Sequence, residues 1–200
     1  SPGNLNSREG LPLALMSLIT IYIVIERMMV LGKANREDKD FMNKVRDYVH
    51  EGKIDSARNL CSQSAAPSAR MVEKGLQRMG KPAREIESAM ETAGRIELTR
   101  LEKGSSLLRL IARLAPMFGF IGTIIGVIKI FYDISLTDNI SIAVISTGLY
   151  QKMVTSAGGL IVGIVAFFGH HLVHSMVDRA MDKMERTSLA FMDLLQEPTK

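Results

Sequence analysis

The fifteen residues from Leu114 to Ile128, LAPMFGFIGTIIGVI, carry no charge yet include one proline and three glycines. In a helix interior each glycine costs about 1 kcal/mol and the proline about 3 kcal/mol relative to alanine. The compensation expected for such a run is close approach of another helix in lipid, where small residues let backbones pack and hydrophobicity alone does not hold helices together. Pro116, Gly119, Thr123 and Gly126 recur at spacings of three and four, so they line one helix face; Gly122 stands beside them and forms a GxxxG pair with Gly126.

Working outward, two more stretches are equally poor in charge. Downstream, residues 140–173 read ISIAVISTGLYQKMVTSAGGLIVGIVAFFGHHLV, with a matching small-residue set in Ser156, Gly159 and Gly163. At 1.5 Å per residue this stretch would be about 50 Å long, more than the roughly 30 Å hydrocarbon core, so it must tilt or protrude. Upstream, Leu11 to Leu31 reads LPLALMSLITIYIVIERMMVL. No small-residue cleavage site follows its apolar part, and Glu26-Arg27 does, so it is read as a retained span rather than a removed signal. The sequence therefore predicts an all-α membrane protein with three transmembrane helices, at 11–31, 115–135 and 142–173.

Between the second and third spans, residues 136–141 form a short loop without Lys or Arg, whereas residues 32–114 are rich in both. The positive-inside tendency then places 32–114 and the C-terminal helix 174–200 in the cytoplasm, and the N-terminal segment 1–10 and the short loop outside. The cytoplasmic part reads as helices: one ending at Gly52, a short one at KIDSARNLCSQ, and two more whose first turns hold Pro67 and Pro82. From Pro82 nothing forces a stop, so a helix of about 50 residues, about 75 Å, is expected to run into the second span. Its seam would be Ile86, Ala89, Ala93, Ile96, Leu107, Leu110 and Leu114, interrupted by Arg100 and Lys103. The helical cytoplasmic domain is thus expected from long extensions of the spans and the segment between the first two.

Several function classes are disfavoured. The net charge of +4 is interleaved with acids and lacks the basic and aromatic patch that nucleic acid requires. A single cysteine, Cys61, allows no intrachain disulfide and no CxxC motif. His170 and His174 share a face at the spacing of zinc ligands, but no Glu stands in the HExxH position and no third ligand is evident. With no nucleophile and base pair, metal set or phosphate loop, the chain reads as no enzyme and as needing no cofactor.

The polar residues inside the spans are the candidates for function. Counted from a turn centred on Asn139, Thr123 lies 16 residues before it and Ser156 17 after it, so a helical hairpin would bring the two hydroxyls to one depth. Thr155 and Gln151 lie on a neighbouring face with Thr147. Such hydroxyls either bond back to their own helix carbonyls, with the glycines serving packing alone, or line a polar path for a partner's side chain. Lys152 either snorkels to the interface or marks an aqueous lumen. The spans hold no carboxylate at this depth, since Asp133 lies near the outer turn within reach of Lys129. A protein moving protons by carboxylate titration would have to borrow that acid from another chain.

At these residues the sequence resembles the MotA/TolQ/ExbB proton-channel family, most closely its ExbB and TolQ branch. The resemblance rests on VIERMMVL after the first span, on LAPMFGFIGTIIGVI as an A-P-x-x-G-x-x-G-T-x-x-G signature, and on GLYQKMVTSAGGLIVGI in the third span. It implies a homo-oligomer, a pentamer, in the bacterial inner membrane, whose second and third spans surround the single-span helices of an ExbD-like partner. That partner's intramembrane Asp would carry the proton, and a TonB-like transducer would deliver force to the outer membrane. Thr123 matches the signature threonine, Ser156 falls where a third-span threonine is usual, and Gln151 stands where relatives often have Glu. On that reading Thr123 and Ser156 hydrogen-bond the partner's Asp in one protonation state, Thr155, Gln151 and Lys152 line the path, and Pro116, Gly119, Gly122, Gly126, Gly159 and Gly163 pack the helices. A TolQ-like or gliding-type motor subunit, or a non-conducting scaffold for partner helices, would share these features.

Overall fold

The computed structural model describes residues 3–36, 40–136 and 142–196, with side chains from Leu11 onward except at 144. All regular structure among them is helical, in seven helices: α1 (Gly3–Ala34), α2 (Phe41–His50), α3 (Ile54–Gln63), α4 (Pro67–Leu76), α5 (Ala83–Leu101), α6 (Ser105–Ser135) and α7 (Ile142–Gln196). Three of these, α1, α6 and α7, hold stretches long and apolar enough to cross a membrane. Their span windows are only 17–28% buried within the chain, so most of their apolar surface faces outward, as a lipid environment permits. This is the all-α, three-span class that the hydropathy pattern predicts. The loop expected at 136–141 lies, apart from Leu136, outside the described residues.

The chain divides into two compact units, to both of which α1 and α7 contribute. The first comprises Ser1–Glu26 and Gly104–Leu172. Its small core joins the three span helices where Ile111 and Ala115 of α6 meet Ala166 of α7, with Met16 of α1 against them. Thr20 of α1 is fully buried here and returns its hydroxyl to the Met16 carbonyl at 2.7 Å, which satisfies the donor without leaving the helix.

The second unit comprises Arg27–Lys103 and Val173–Lys200. Phe41 and Val45 of α2, Cys61 of α3, Val72 of α4, Met90 of α5 and Phe191 of α7 meet in its core. Pro67 opens α4, and Pro82 caps α5 directly before its first residue, as fits a residue with fixed φ and no N–H to lose. Gly52, at φ +69°, takes the left-handed turn that ends α2. Burial pushes the Cys61 thiol up to about 12, with the Glu73 carboxylate adding to the effect.

Two expectations for α5 fail. The helix does not run on into the second span: α5 stops at Leu101, and Gly104, at φ +84°, breaks the path before α6 starts. A left-handed residue cannot continue a right-handed helix, and glycine adopts that conformation without the steric cost any other residue would meet. Nor is the predicted seam the buried face. Ile86 is buried, but the helix then covers Met90, Gly94, Glu97 and Leu101, and Ile96 is 52% exposed. The shift follows from Glu97, which is buried and held by Arg70 Nη1 at 2.8 Å and Arg100 Nη1 at 2.7 Å. Arg27, also buried, donates to the Arg100 carbonyl at 3.3 Å. A carboxylate with two guanidinium partners can occupy the inner face that an apolar residue would otherwise take.

Candidate functional site

The antiparallel contact of α6 and α7 is made by their glycines. A Cβ added to Gly119 would stand 2.9 Å from the Ser156 carbonyl oxygen, and one added to Gly159 would stand 2.7 Å from the Ala115 oxygen and 3.0 Å from the Gly119 Cα. At Gly163 it would stand 2.5 Å from the Pro116 ring. Backbone thus meets backbone across this face, which no larger residue would allow. α6 continues through Pro116, whose ring seats against Gly163 and whose missing N–H is tolerated in an apolar helix closely backed by another.

The GxxxG pair does not act as one surface. Gly126 lies under the stem of Lys152, whereas Gly122 has nothing within 4 Å of where its Cβ would be, and the same holds for Gly158. The small residues therefore form two sets: Gly119, Gly126, Gly159 and Gly163 serve the hairpin, and Gly122 and Gly158 face away from it.

Thr123, half-buried, stands at the edge of this contact. Its Oγ1 donates to the Gly119 carbonyl at 3.1 Å and lies 3.5 Å from the Lys152 carbonyl of α7. Ser156 is half-buried, and its backbone abuts Gly119. The two hydroxyl residues share one contact but are not directly opposed, since Thr123 faces Lys152 and Ser156 follows Lys152 by about one helical turn, or 6 Å. Thr155 is half-buried and donates back to the Gln151 carbonyl at 3.1 Å, while Gln151 is exposed. Lys152 is half-buried, with its stem on Gly126. Thr147 bonds back to the Ala143 carbonyl at 2.9 Å.

Further along α7, His170 lies 3.0 Å from Ser105 Oγ through Nδ1, and Arg109 Nε donates to its Nε2 at 3.4 Å. Because a guanidinium only donates, Nε2 must accept, so the ring proton sits on Nδ1 and points at Ser105. In the other unit His174 lies 4.0 Å from Asp178, so the two histidines at zinc-like spacing engage different neighbours. Among the described residues no group of three His, Cys, Asp or Glu side chains could hold a metal ion. The pairings of Thr20, Arg27 and Glu97 escaped sequence reasoning; a threonine in an apolar run and a lone acid on a charged helix look alike whether buried or exposed.

Fold and site together define a multi-pass helical membrane protein. Residues 63–186 match the MotA/TolQ/ExbB proton channel family, and the chain belongs to it. It is 27% identical over 175 residues to a chain from Methanothermobacter thermautotrophicus named as an ExbB homologue in biopolymer transport, covering 86% of this chain and 62% of that one. The chain thus spans less than two thirds of that relative's length. It is also 35% identical over 89 residues to the biopolymer transport protein exbB1 of Vibrio cholerae, covering 44% of this chain and 39% of that one. Against the biopolymer transport protein ExbB of Neisseria meningitidis serogroup A the identity is 22% over 174 residues, covering 80% of this chain and 78% of that one.

Proposed function

We propose that the chain is the ring-forming subunit of a proton-driven motor of the ExbB and ExbD kind, seated in a bacterial inner membrane with its N-terminus in the periplasm and its C-terminus in the cytoplasm. Copies of α6 and α7, five to a ring, surround a single-span partner whose intramembrane carboxyl carries the proton. Thr123 and Ser156 receive that carboxyl, Thr155, Gln151 and Lys152 line its approach, and a TonB-like transducer passes the work to outer-membrane transport. The observation that carries this reading is the Thr123 hydroxyl at the glycine contact of α6 and α7, in spans that hold no carboxylate at its depth. Gly122 and Gly158, open beside it, leave room for a further helix.

A second reading draws on the same hydroxyl. Thr123 bonds back to the Gly119 carbonyl, as a purely structural threonine does, which suits a scaffold that gathers partner helices without conducting. A TolQ-like or gliding-type motor differs from the first reading only in the partner served. Proton flux into liposomes separates conduction from scaffolding, measured with and without the ExbD-like partner for the wild type and for Thr123→Val with Ser156→Ala at matched assembly. Flux that requires the partner and falls in the double variant is the expected result. Unchanged flux in the variant would remove both hydroxyls from the path, and no flux in any arm, with a known stator complex conducting in parallel, would favour the scaffold.

A further inference from the structure

Between the first turns of α6 and the histidine-rich part of α7 lies a cavity of about 420 Å³, lined by Arg109, Ala112, Arg113, Phe167 and His170. Two guanidiniums line it with no acidic residue among its lining residues, a donor set suited to a phosphate, which Arg meets through paired N–H groups, whereas the ring proton of His170 is already directed at Ser105. The contact to His170 uses only one of the five N–H donors of Arg109. One turn along α6 from Arg113 comes Met117, and Met117, Phe120, Ile121 and Pro116 line a second cavity of about 330 Å³ with Leu160 of α7. That lining is wholly apolar. Arg109, Arg113, Met117 and Ile121 follow one another at steps of four, so basic and apolar cavities lie on a single stripe of α6. On α7, Phe167 and Leu160, seven residues apart, share the facing stripe.

A free anion would use only the first cavity, whereas a molecule with a phosphate at one end and a hydrocarbon chain at the other uses both. We propose that this stripe is a phospholipid site, with the headgroup phosphate held by Arg109 and Arg113 beside His170 and an acyl chain in the groove of Met117, Phe120 and Leu160. Two guanidiniums without a lining carboxylate select a net anionic headgroup over a zwitterionic one.

The test is native mass spectrometry of the full chain in detergent, titrated separately with dioleoyl phosphatidylglycerol, dioleoyl phosphatidylcholine and glycerol 3-phosphate. Phosphatidylglycerol is expected to bind at least tenfold more tightly than the other two, and Arg109→Gln with Arg113→Gln to abolish that preference while leaving phosphatidylcholine binding unchanged. Arg84→Gln, an exposed arginine in the other unit, should change nothing. Wild-type preference in the double variant would overturn the site, and glycerol 3-phosphate binding as tightly as phosphatidylglycerol would overturn the lipid assignment. Should the double variant lose its helical circular dichroism, Arg113→Gln alone keeps the contacts of His170 with Ser105 and Arg109 and is expected to weaken phosphatidylglycerol at least threefold; no weakening would equally refute the site.

Discussion

Substituting Gly159 by alanine tests whether α6 and α7 are held by backbone contact. The added methyl would stand 2.7 Å from the Ala115 carbonyl oxygen and 3.0 Å from the Gly119 Cα. Carbon and oxygen in favourable contact sit about 3.3–3.6 Å apart, so the helices must separate by roughly 0.6 Å or more. Because the obstacle is backbone rather than the end of a flexible side chain, it cannot turn aside. Overpacking of this kind costs about 1–3 kcal/mol. The neighbouring Gly158 has nothing within 4 Å of its notional Cβ, so there alanine should stabilise by about 0.5–1 kcal/mol through helix propensity alone. The assay is equilibrium unfolding of the purified chain in mixed micelles, followed by circular dichroism. The propensity gain is common to both positions, so the two adjacent glycines should differ by the overpacking cost, about 1–3 kcal/mol, with the Gly159 variant the less stable. Equal responses would refute the assignment of one glycine to the hairpin and the other to open space.

The remaining predictions concern single residues. Gly104→Ala should destabilise by about 1–2 kcal/mol, because the left-handed conformation and not space is limiting; its Cβ would meet Ile23 at an ordinary 3.4 Å. A thermal melt unchanged from wild type would contradict this. Glu97→Ala strips Arg70 and Arg100 of their shared acceptor and should cost about 1–3 kcal/mol, discounted toward the lower end because both arginines are partly exposed. The check is chemical denaturation, with Arg95→Ala, whose pair to Glu91 is exposed, expected to have little effect. Cys61, pushed up to about 12, stays a thiol where an ordinary cysteine ionises. Maleimide labelling at pH 8.5 should be much slower in the native chain than in the unfolded one. The sign for stability follows: between its ordinary value of 9.0 and about 12 the folded state holds a proton that the unfolded state releases, so the contribution of Cys61 is full below pH 9 and is lost as pH rises through that window.

The spans were legible because lipid imposes a coarse demand: about 20 apolar residues in a row leave a signal that no local detail hides. The glycine face was legible for the opposite reason, since Gly and Pro in an apolar helix are locally unfavourable and therefore point to a contact. What the pattern left ambiguous was which glycines face which neighbour. Gly122 and Gly126 read as one GxxxG, yet one is open and the other lies beneath Lys152. Rotation about a helix axis is set by the partner, which sequence spacing does not contain. The charged segment misled more. Ile96 looked like a core position, but Glu97 takes the inner face, because two guanidiniums offset the ordinary cost of burying a carboxylate, and those arginines come from α4 and α5. The break at Gly104 was signalled by a glycine ahead of two serines, and the apolar seam from Ile86 to Leu114, though interrupted by Arg100 and Lys103, outweighed it.

The two readings of Thr123 meet in its rotamer. Its hydroxyl has one proton and two lone pairs, and the proton now goes to the Gly119 carbonyl. In the proposed motor, a protonated partner carboxyl can donate to Thr123 Oγ1 without disturbing that bond, because it needs only a lone pair. An ionised carboxylate needs the hydroxyl proton itself, and the side chain must release Gly119 to provide it. The bond released contributes about 0.5–1.5 kcal/mol, and a bond to a charged group about 1.5–3 kcal/mol, so the exchange is favourable only for the carboxylate. On that proposal back-bonding is the resting position of the same hydroxyl and not a rival to the role proposed for it. Thr123→Ser keeps both positions and should retain flux, whereas Thr123→Val fills the same volume and removes both. Equal flux from the two variants would mean that the threonine serves the helix alone.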